Sequence, residues 1–266
     1  MFATLSAPEQ PARRRAFFRR KAPALSCSRV TLPNFFSFYH IQAPRRPDGT
    51  LPWDEIAETA GPFRTRLLLP RGIAPDEGAP VAVFAPQRLP LVVLCRSALQ
   101  TLERLRADPQ TQRLCVFDPL GVLADQIMAF APLAAQLHVV TDAPELYEET
   151  AARLREDCGL LLRLSPDPPD LAAFTVLLLD DEADVPQTYD GLVFTNRPCP
   201  RMNAVTFTPE EPALPPEFAA LCPPGIDPLQ FASAAFELCA ADELGSLRAE
   251  CRTLQDGERK EAPEPG

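Results

Sequence analysis

The chain has 266 residues, of which 46% are hydrophobic, and its formal net charge is −10 at pH 7. This length allows one large domain or two small ones, and the apolar share is enough to bury a core. The negative charge argues against nonspecific nucleic-acid binding by the whole molecule, and no apolar run reaches the ~18 residues of a membrane-spanning helix. We therefore expect a cytoplasmic protein with neither nucleic acid nor membrane among its partners, and we leave its oligomeric state open.

The reactive residue types are few or scattered. The eight cysteines include no CxxC pair, and only two histidines could join them as ligands, so the sequence predicts no zinc site. Several cysteines lie inside apolar runs, which is typical of small core residues in a reducing compartment. The only lysines are Lys21 and Lys260. Because residues 22–259 contain no lysine, this part of the chain can form neither a lysine Schiff base nor a Walker-type phosphate loop.

Residues 1–47 form a basic segment, with nine Arg and Lys residues against one acid, Glu9. The segment resembles a transit peptide in being Arg-rich and acid-poor. It is also typical of a disordered basic arm, or it precedes the true start of translation. In each case we expect it to lie outside the fold, although the apolar stretch NFFSFYHIQ (34–42) has the composition of a first strand.

Residues 48–110 have the pattern of a small α/β unit. LPWDEIAETAG (51–61) predicts a short helix, and the β-rich runs RTRLLLP (64–70) and APVAVFAP (79–86) are bounded by Pro and Gly. Pro90 then opens a helix whose apolar residues recur at helical spacing.

Residues 111–245 give the clearest pattern, because apolar strands alternate with helical segments. A helix is predicted over 123–134, another from Pro144, and a closing helix with Asp227 as N-cap and Gln230 in a capping box. This alternation predicts a parallel sheet with right-handed crossovers. Residues 246–266 form a polar tail, which is expected to be disordered after about residue 252. The predicted strands are RLCVFD, LHVVTD, LLLRLS, FTVLLLDD, GLVFTN and AVTFTP.

The loops that follow these strands nominate a ligand site, because open parallel sheets bind ligands beyond the carboxyl ends of their strands. The first loop runs from Asp118 to Gly121, the second holds Thr141 and Asp142, and a later one holds Asn196 and Arg197. Acidic residues at 180–184 follow the fourth strand. These side chains are expected to share one edge of the sheet.

The stretch from 113 to about 207 resembles a Rossmann-type NAD(P)-binding domain. With the preceding small α/β unit and the closing helix, the layout is similar to the shikimate dehydrogenase family. This resemblance implies an NAD or NADP coenzyme, a glycine-rich turn over 118–124 and a catalytic lysine–aspartate pair. Only Gly121 matches the turn, Asp142 occupies the place of the residue that selects the coenzyme, and no lysine exists between residues 22 and 259.

Each candidate residue has a structural alternative. Gly121 could relieve a tight turn, Asp142 with Glu145 has the spacing of a helix capping box, and Asn196 with Arg197 could form an exposed turn instead of an anion site. The acids at 180–184 are typical of a solvated loop, with a divalent-cation role as the alternative. His138 is expected in the core or at a cap.

The residues of the first loop disfavour a pyrophosphate. Such a group needs unobstructed backbone N–H donors, whereas Asp118 adds a negative charge, Pro119 removes a donor and Leu120 adds bulk. We therefore expect a non-catalytic or degenerate Rossmann-like protein that binds or senses a small-molecule ligand or nucleotide, or serves as a scaffold. The alternatives are an NAD(P)-dependent oxidoreductase with a divergent glycine loop, and a docking module whose basic arm binds an acidic partner.

Overall fold

A computed structural model describes residues 1–8, 24–181, 185–199 and 204–254. The chain divides into two compact units, each of mixed α/β structure. Unit 1 comprises Met1–Leu89 with Leu214–Gly245, and unit 2 comprises Pro90–Ala213 with Ser246–Gly266. This division differs from the expected one, since the closing helix belongs to unit 1 and nearly all of the helix that Pro90 was expected to open belongs to unit 2.

Unit 1 contains a four-stranded sheet in the order β2-β3-β1-β4. Strand β1 runs parallel to β3 and β4, and β2 pairs antiparallel with β3 at the edge. The run 79–86 contributes only an isolated bridge from Val83 to Leu67, so the strand predicted there does not form. The strands are β1 (Ala3–Ser6), β2 (Ser26–Thr31), β3 (Ser37–Gln42) and β4 (Leu67–Leu68).

The alternation of side chains divides the unit 1 sheet into two faces. Leu5 and Ile41 belong to a buried cluster that includes Trp53, the first residue of α1 (Trp53–Ala60). On the other face, the rings of Phe2 and Phe38 stack 5.2 Å apart, and both meet Phe231 edge-on. Phe231 belongs to α5 (Pro228–Cys239), which Asp227 caps as predicted by accepting from the Gln230 backbone N–H at 3.0 Å.

The prediction that residues 1–47 lie outside the fold is wrong for 1–8 and 24–47. Those residues supply β1, β2 and β3, and the strand predicted within 34–42 is β3. Strand β1 has only four residues, so its alternation is too short to stand out, yet Phe2, Ala3 and Leu5 are completely buried. Residues 9–23, which hold most of the basic charge, lie outside the described part of the chain.

Unit 2 contains a seven-stranded sheet in the order β11-β10-β9-β8-β5-β6-β7. All six predicted strands form and run parallel, and an unpredicted strand, β11, pairs antiparallel with β10 inside the expected polar tail. Residues 255–266 of that tail are outside the described ranges. The strands are β5 (Arg113–Phe117), β6 (Gln136–Val140), β7 (Leu162–Ser165), β8 (Val176–Asp181), β9 (Leu192–Arg197), β10 (Val205–Pro209) and β11 (Cys251–Thr253).

The order of the strands reverses at β5. The chain moves from β5 to β6 and β7 on one side, and then crosses to β8 and its successors on the other. Such a reversal separates the loops that leave the two central strands, and in open α/β sheets it is where a ligand crevice forms. In this sheet the reversal lies between β5 and β8.

The helices of unit 2 agree with the sequence except after β5. Helices α2 (Leu89–Leu105) and α3 (Glu148–Cys158) form where periodicity predicts them, and Gly159 ends α3 in the left-handed region with φ 67°. The α-helix predicted over 123–134 is replaced by turns and a 3₁₀ segment, Ile127–Leu133, with Pro132 inside it. Most of the apolar residues in this segment are buried, as their spacing predicted. The backbone of the segment, however, is not the α-helix that the same spacing predicted.

Two further short elements belong to unit 1. A 3₁₀ turn, Gly61–Thr65, follows α1, and α4 (Pro216–Ala219) precedes α5. Among the residues that the structure describes, no helix combines the length and apolar character needed to cross a bilayer.

Candidate functional site

The parallel sheet of unit 2 places the nominated loops along one edge. Phe117 at the end of β5 is in register with Val140 at the end of β6, and Leu179 of β8 is in register with Thr195 of β9. The residues that follow these positions therefore leave the sheet on the same side, as the sequence predicts.

The first loop is organised by the carboxylate of Asp118, which is completely buried. Its Oδ1 accepts a hydrogen bond from the backbone N–H of Val122 at 3.0 Å, and its Oδ2 accepts from the backbone N–H of Leu123 at 2.6 Å. The chain also turns back at Gly121, whose N–H donates to the Asp118 carbonyl at 3.1 Å. An internal anion thus uses two backbone donors of the turn.

A third donor completes the surroundings of this carboxylate. The hydroxyl of the fully buried Tyr147 donates to Asp118 Oδ2 at 2.5 Å. Burial, together with the Asp118 charge, raises the pKa of the Tyr147 hydroxyl, so the phenol stays protonated and keeps donating. Nothing in the spacing of the sequence links the Tyr147 hydroxyl to Asp118.

Buried cysteines close to this region are not nucleophiles. Burial raises the pKa of the Cys95 thiol to about 12, with an opposing contribution from Arg96 and a further rise from Asp118. Burial likewise raises the pKa of Cys115 to about 12. Both thiols are therefore protonated near neutral pH, and a thiol in that form is a poor nucleophile.

Gly121 is required by the shape of the turn. Its φ of 68° lies in the left-handed region, and a Cβ at this position would stand 2.5 Å from the Cδ1 of Leu146. Leu146 and Leu120 are each about half exposed, with relative accessibilities of 52% and 51%. Gly121 thus serves as a turn residue whose open side is covered by Leu146. A coenzyme phosphate would need the backbone to be accessible at this place.

In the second loop, Thr141 has a structural role, whereas Asp142 is exposed to solvent. The buried Thr141 hydroxyl accepts from the Ala143 backbone N–H at 3.1 Å and so fixes the turn. Asp142 is exposed, and its backbone N–H donates to the Pro119 carbonyl at 3.2 Å. The alternative that Asp142 and Glu145 form a capping box is wrong, because the segment Pro144–Tyr147 begins as a 3₁₀ turn at Ala143 without a side-chain cap.

Asn196 and Arg197 both interact with Asp180. The Asn196 Nδ2 donates to Asp180 Oδ1 at 2.9 Å, and the Arg197 guanidinium lies 3.4 Å from Asp180 Oδ2. The Arg197 side chain is 67% exposed, so this ion pair adds little stability. The carboxylate nevertheless neutralises the cation that an incoming phosphate would use, which agrees with the exposed-turn alternative. Residues 182–184 of the acidic run lie outside the described ranges.

The structure also brings together His138 and Ser165, a pair that the sequence did not suggest. His138 Nε2 lies 2.7 Å from Ser165 Oγ, and Ser165 Oγ donates to the carbonyl of Asp167 at 2.7 Å. A carbonyl can only accept, so the serine proton is used there and His138 must donate through Nε2. Ser165 is therefore not activated by its histidine, and the pair links β6 to the last residue of β7.

Within residues 1–8, 24–181, 185–199 and 204–254, no three His, Cys, Asp or Glu side chains come together in a group that could hold a metal ion. No protein-family model, curated protein or solved structure matches this chain.

Proposed function

We propose that unit 2 is a degenerate Rossmann-like module that performs no coenzyme-dependent catalysis and serves as a scaffold or a small-ligand receptor. The β5–β10 order, with its reversal at β5, is the strand order of dinucleotide-binding domains. This supports the relationship that the sequence pattern suggested. In such domains the coenzyme is held at the turn after the first strand, which in this chain is the turn after β5.

The observation that carries the proposal is the use of the turn amides by Asp118. In dinucleotide-binding domains the pyrophosphate accepts hydrogen bonds from backbone N–H groups at the start of the first helix. Here the N–H groups of Val122 and Leu123 donate to the Asp118 carboxylate instead. An external phosphate would compete with a covalently attached anion that is already buried and triply hydrogen-bonded.

Three further features of the first loop support the same conclusion. No α-helix follows β5 in the described turn, so the favourable positive end of a helix dipole is missing behind the amides. A phosphate would also carry negative charge beside Asp118, and like charges a few ångströms apart in a partly buried site repel by on the order of several kcal/mol. Pro119 removes one more backbone donor.

The competing function is an NAD(P)-dependent oxidoreductase with a divergent loop. One observation favours it: Asp142 is exposed, so its carboxylate could accept hydrogen bonds from a ribose. The lysine of the family's lysine–aspartate pair has no counterpart between residues 22 and 259, which leaves the hydride-transfer reaction without its expected acid–base group.

Coenzyme titration separates the two functions. The full chain is titrated with NADH and with NADPH while nucleotide fluorescence and the melting temperature are followed. A ligand that binds only the folded state at 100 times its dissociation constant adds about 2.7 kcal/mol. We expect no saturable fluorescence change and no rise in melting temperature. A saturable rise that Asp142→Ala weakens for NADH would establish the oxidoreductase alternative instead.

A further inference from the structure

Unit 1 carries a polar cluster at the carboxyl end of its parallel strands. Thr4, Ser6, His40 and Gln42 all lie on the sheet face opposite the cluster of Leu5 and its neighbours, because they alternate with buried residues of β1 and β3. Thr4 is in register with His40, and Ser6 is in register with Gln42. The four side chains are therefore neighbours on adjacent strands.

Hydrogen bonds run through this cluster in one direction. Thr4 Oγ1 lies 2.8 Å from His40 Nδ1 and has the Tyr39 carbonyl as a long second acceptor at 3.5 Å. We assign the Thr4 hydroxyl proton to that carbonyl, the arrangement in which Thr4 receives the Nδ1 proton of His40. The other ring nitrogen, Nε2, is then a bare acceptor for Ser6 Oγ at 3.2 Å.

The arrangement differs from the pair of His138 and Ser165 in the direction of proton donation. Ser165 gives its proton to a carbonyl, whereas in the assigned tautomer of His40 the Ser6 hydroxyl, 3.2 Å from Nε2, donates to an imidazole nitrogen. Burial lowers the pKa of His40, so the ring is neutral at pH 7 and able to accept a proton. Ser6 is half-buried and reachable from solvent.

We propose that Ser6, His40 and Gln42 form an acyl-transfer site for carboxylic esters, with Thr4 as the residue that positions the imidazole. Ser6 Oγ is the nucleophile and His40 Nε2 is the general base, the pairing that activates serine hydroxyls in hydrolases. The exposed side-chain amide of Gln42, opposite Ser6, is the donor for the oxyanion. The site belongs to unit 1 and does not depend on the function proposed for unit 2.

The reaction needs only an ester and water. Ser6 Oγ forms a bond to the carbonyl carbon while His40 Nε2 takes the hydroxyl proton. The ester C–O bond then breaks, its electron pair leaves with the alkoxide oxygen, and His40 returns the proton to give the alcohol. Water hydrolyses the acyl-serine by the same transfers, which releases the carboxylic acid and restores Ser6. No atom changes its oxidation state.

A fluorophosphonate probe tests the proposal on the full chain, since its fluoride is displaced by an activated serine. We expect one label per chain, located on Ser6 by peptide mass spectrometry, and slow turnover of p-nitrophenyl acetate. Ser6→Ala should abolish both signals. His40→Gln and Gln42→Ala should each slow labelling by on the order of 100-fold. Thr4→Val should slow it too, and Thr4→Ser should restore it.

The second serine–histidine pair provides the matched control. Ser165→Ala and His138→Gln should label at the wild-type rate, because the histidine in that pair donates and does not accept. Melting temperatures confirm that each variant is folded. If His40→Gln does not fold, His40→Asn is tested in its place. Absence of label in the native protein, a label on a residue other than Ser6, or an unchanged rate in the folded His40 variant would overturn the proposal.

Discussion

Tyr147 and Asp118 form a buried hydrogen bond at 2.5 Å that joins the segment after β6 to the turn after β5. We expect Tyr147→Phe to lower the free energy of unfolding by about 2 kcal/mol, since a hydrogen bond to a buried charged group contributes ~1.5–3 kcal/mol. The carboxylate would retain its two backbone donors but lose the side-chain donor that Tyr147 provides. Urea denaturation at pH 7 measures the change, and a loss below ~0.5 kcal/mol would contradict the role given to this bond.

Tyr189→Phe is the matched control for that variant. Tyr189 is also buried, with 4% of its surface accessible, but its hydroxyl has no hydrogen-bond partner within the described residues. Removing a buried hydroxyl without a partner also removes its desolvation penalty. We therefore expect Tyr189→Phe to leave the free energy of unfolding unchanged or to raise it. A loss as large as that of Tyr147→Phe would show that both variants report only altered packing.

Asp118→Ala tests whether the carboxylate acts as an internal anion. The variant leaves the backbone donors of Val122 and Leu123 and the Tyr147 hydroxyl without their acceptor, which should cost on the order of 3 kcal/mol. Added acetate supplies a carboxylate of suitable size. Acetate should therefore raise the melting temperature of the variant more than that of the wild type.

Sodium chloride at the same ionic strength is the control for general salt effects in that experiment. An equal response of the wild type and the Asp118→Ala variant to acetate would indicate that the turn does not select anions. A selective response would show that the amides of Val122 and Leu123 still form an anion site once the internal carboxylate is removed. The same variant can then be titrated with NADH to ask whether the site accepts a coenzyme.

The fold of unit 2 was largely predictable because its strands are continuous apolar runs. A strand such as Val176–Asp181, with four consecutive buried residues, is typical of a parallel strand covered on both faces. The edge that carries the candidate loops follows from the parallel direction alone. Unit 1 was less predictable, because β1 has four residues and β4 has two, and such short strands give almost no periodicity.

The candidate site was predictable in position but not in role. The sequence showed that Asp118 would stand at the start of the turn after β5. It could not show that the carboxylate folds back onto Val122 and Leu123, since side-chain direction depends on the turn that the bond itself creates. The pairs of His138 with Ser165 and of His40 with Ser6 join residues 27 and 34 positions apart, and local patterns do not report such distances.

The two histidines predict how stability depends on pH. Burial lowers the pKa of both His40 and His138, and Arg163 lowers that of His138 further. The unfolded chain, with histidine pKa values near ~6.5, therefore binds more protons than the folded one as the solution becomes mildly acidic. The stabilisation is fully present above about pH 6.5 and is lost as the pH falls through the lowered values.

Urea denaturation at pH 7.5 and pH 5.5 measures this dependence while most carboxylates remain ionised. The free energy of unfolding should be smaller at pH 5.5 in the wild type. The double variant His40→Gln with His138→Gln should show a weaker dependence over the same interval. A wild-type stability that rises on acidification would contradict the direction assigned to both groups.

Two glycines should respond differently to replacement by alanine. At Gly191 a Cβ would stand 2.2 Å from the Tyr189 hydroxyl and 2.7 Å from the backbone carbonyl of Thr175, and the backbone carbonyl cannot rotate away. At Gly121 the nearest atom is the end of the exposed Leu146 side chain, which can move, so the remaining penalty is the positive φ. We expect Gly191→Ala to cost ~2–3 kcal/mol, as overpacking does, and Gly121→Ala about 1 kcal/mol.

Removing the contacting side chain separates the two causes at these glycines. Leu146→Ala should not recover the loss of Gly121→Ala, because the strained backbone remains. Tyr189→Ala should recover only part of the loss of Gly191→Ala, because the Thr175 carbonyl still faces the new methyl group. Double-mutant cycles of urea denaturation measure both couplings. Full recovery in the first cycle would mean that the Leu146 contact, and not the left-handed conformation, is what requires glycine in the turn beside Asp118.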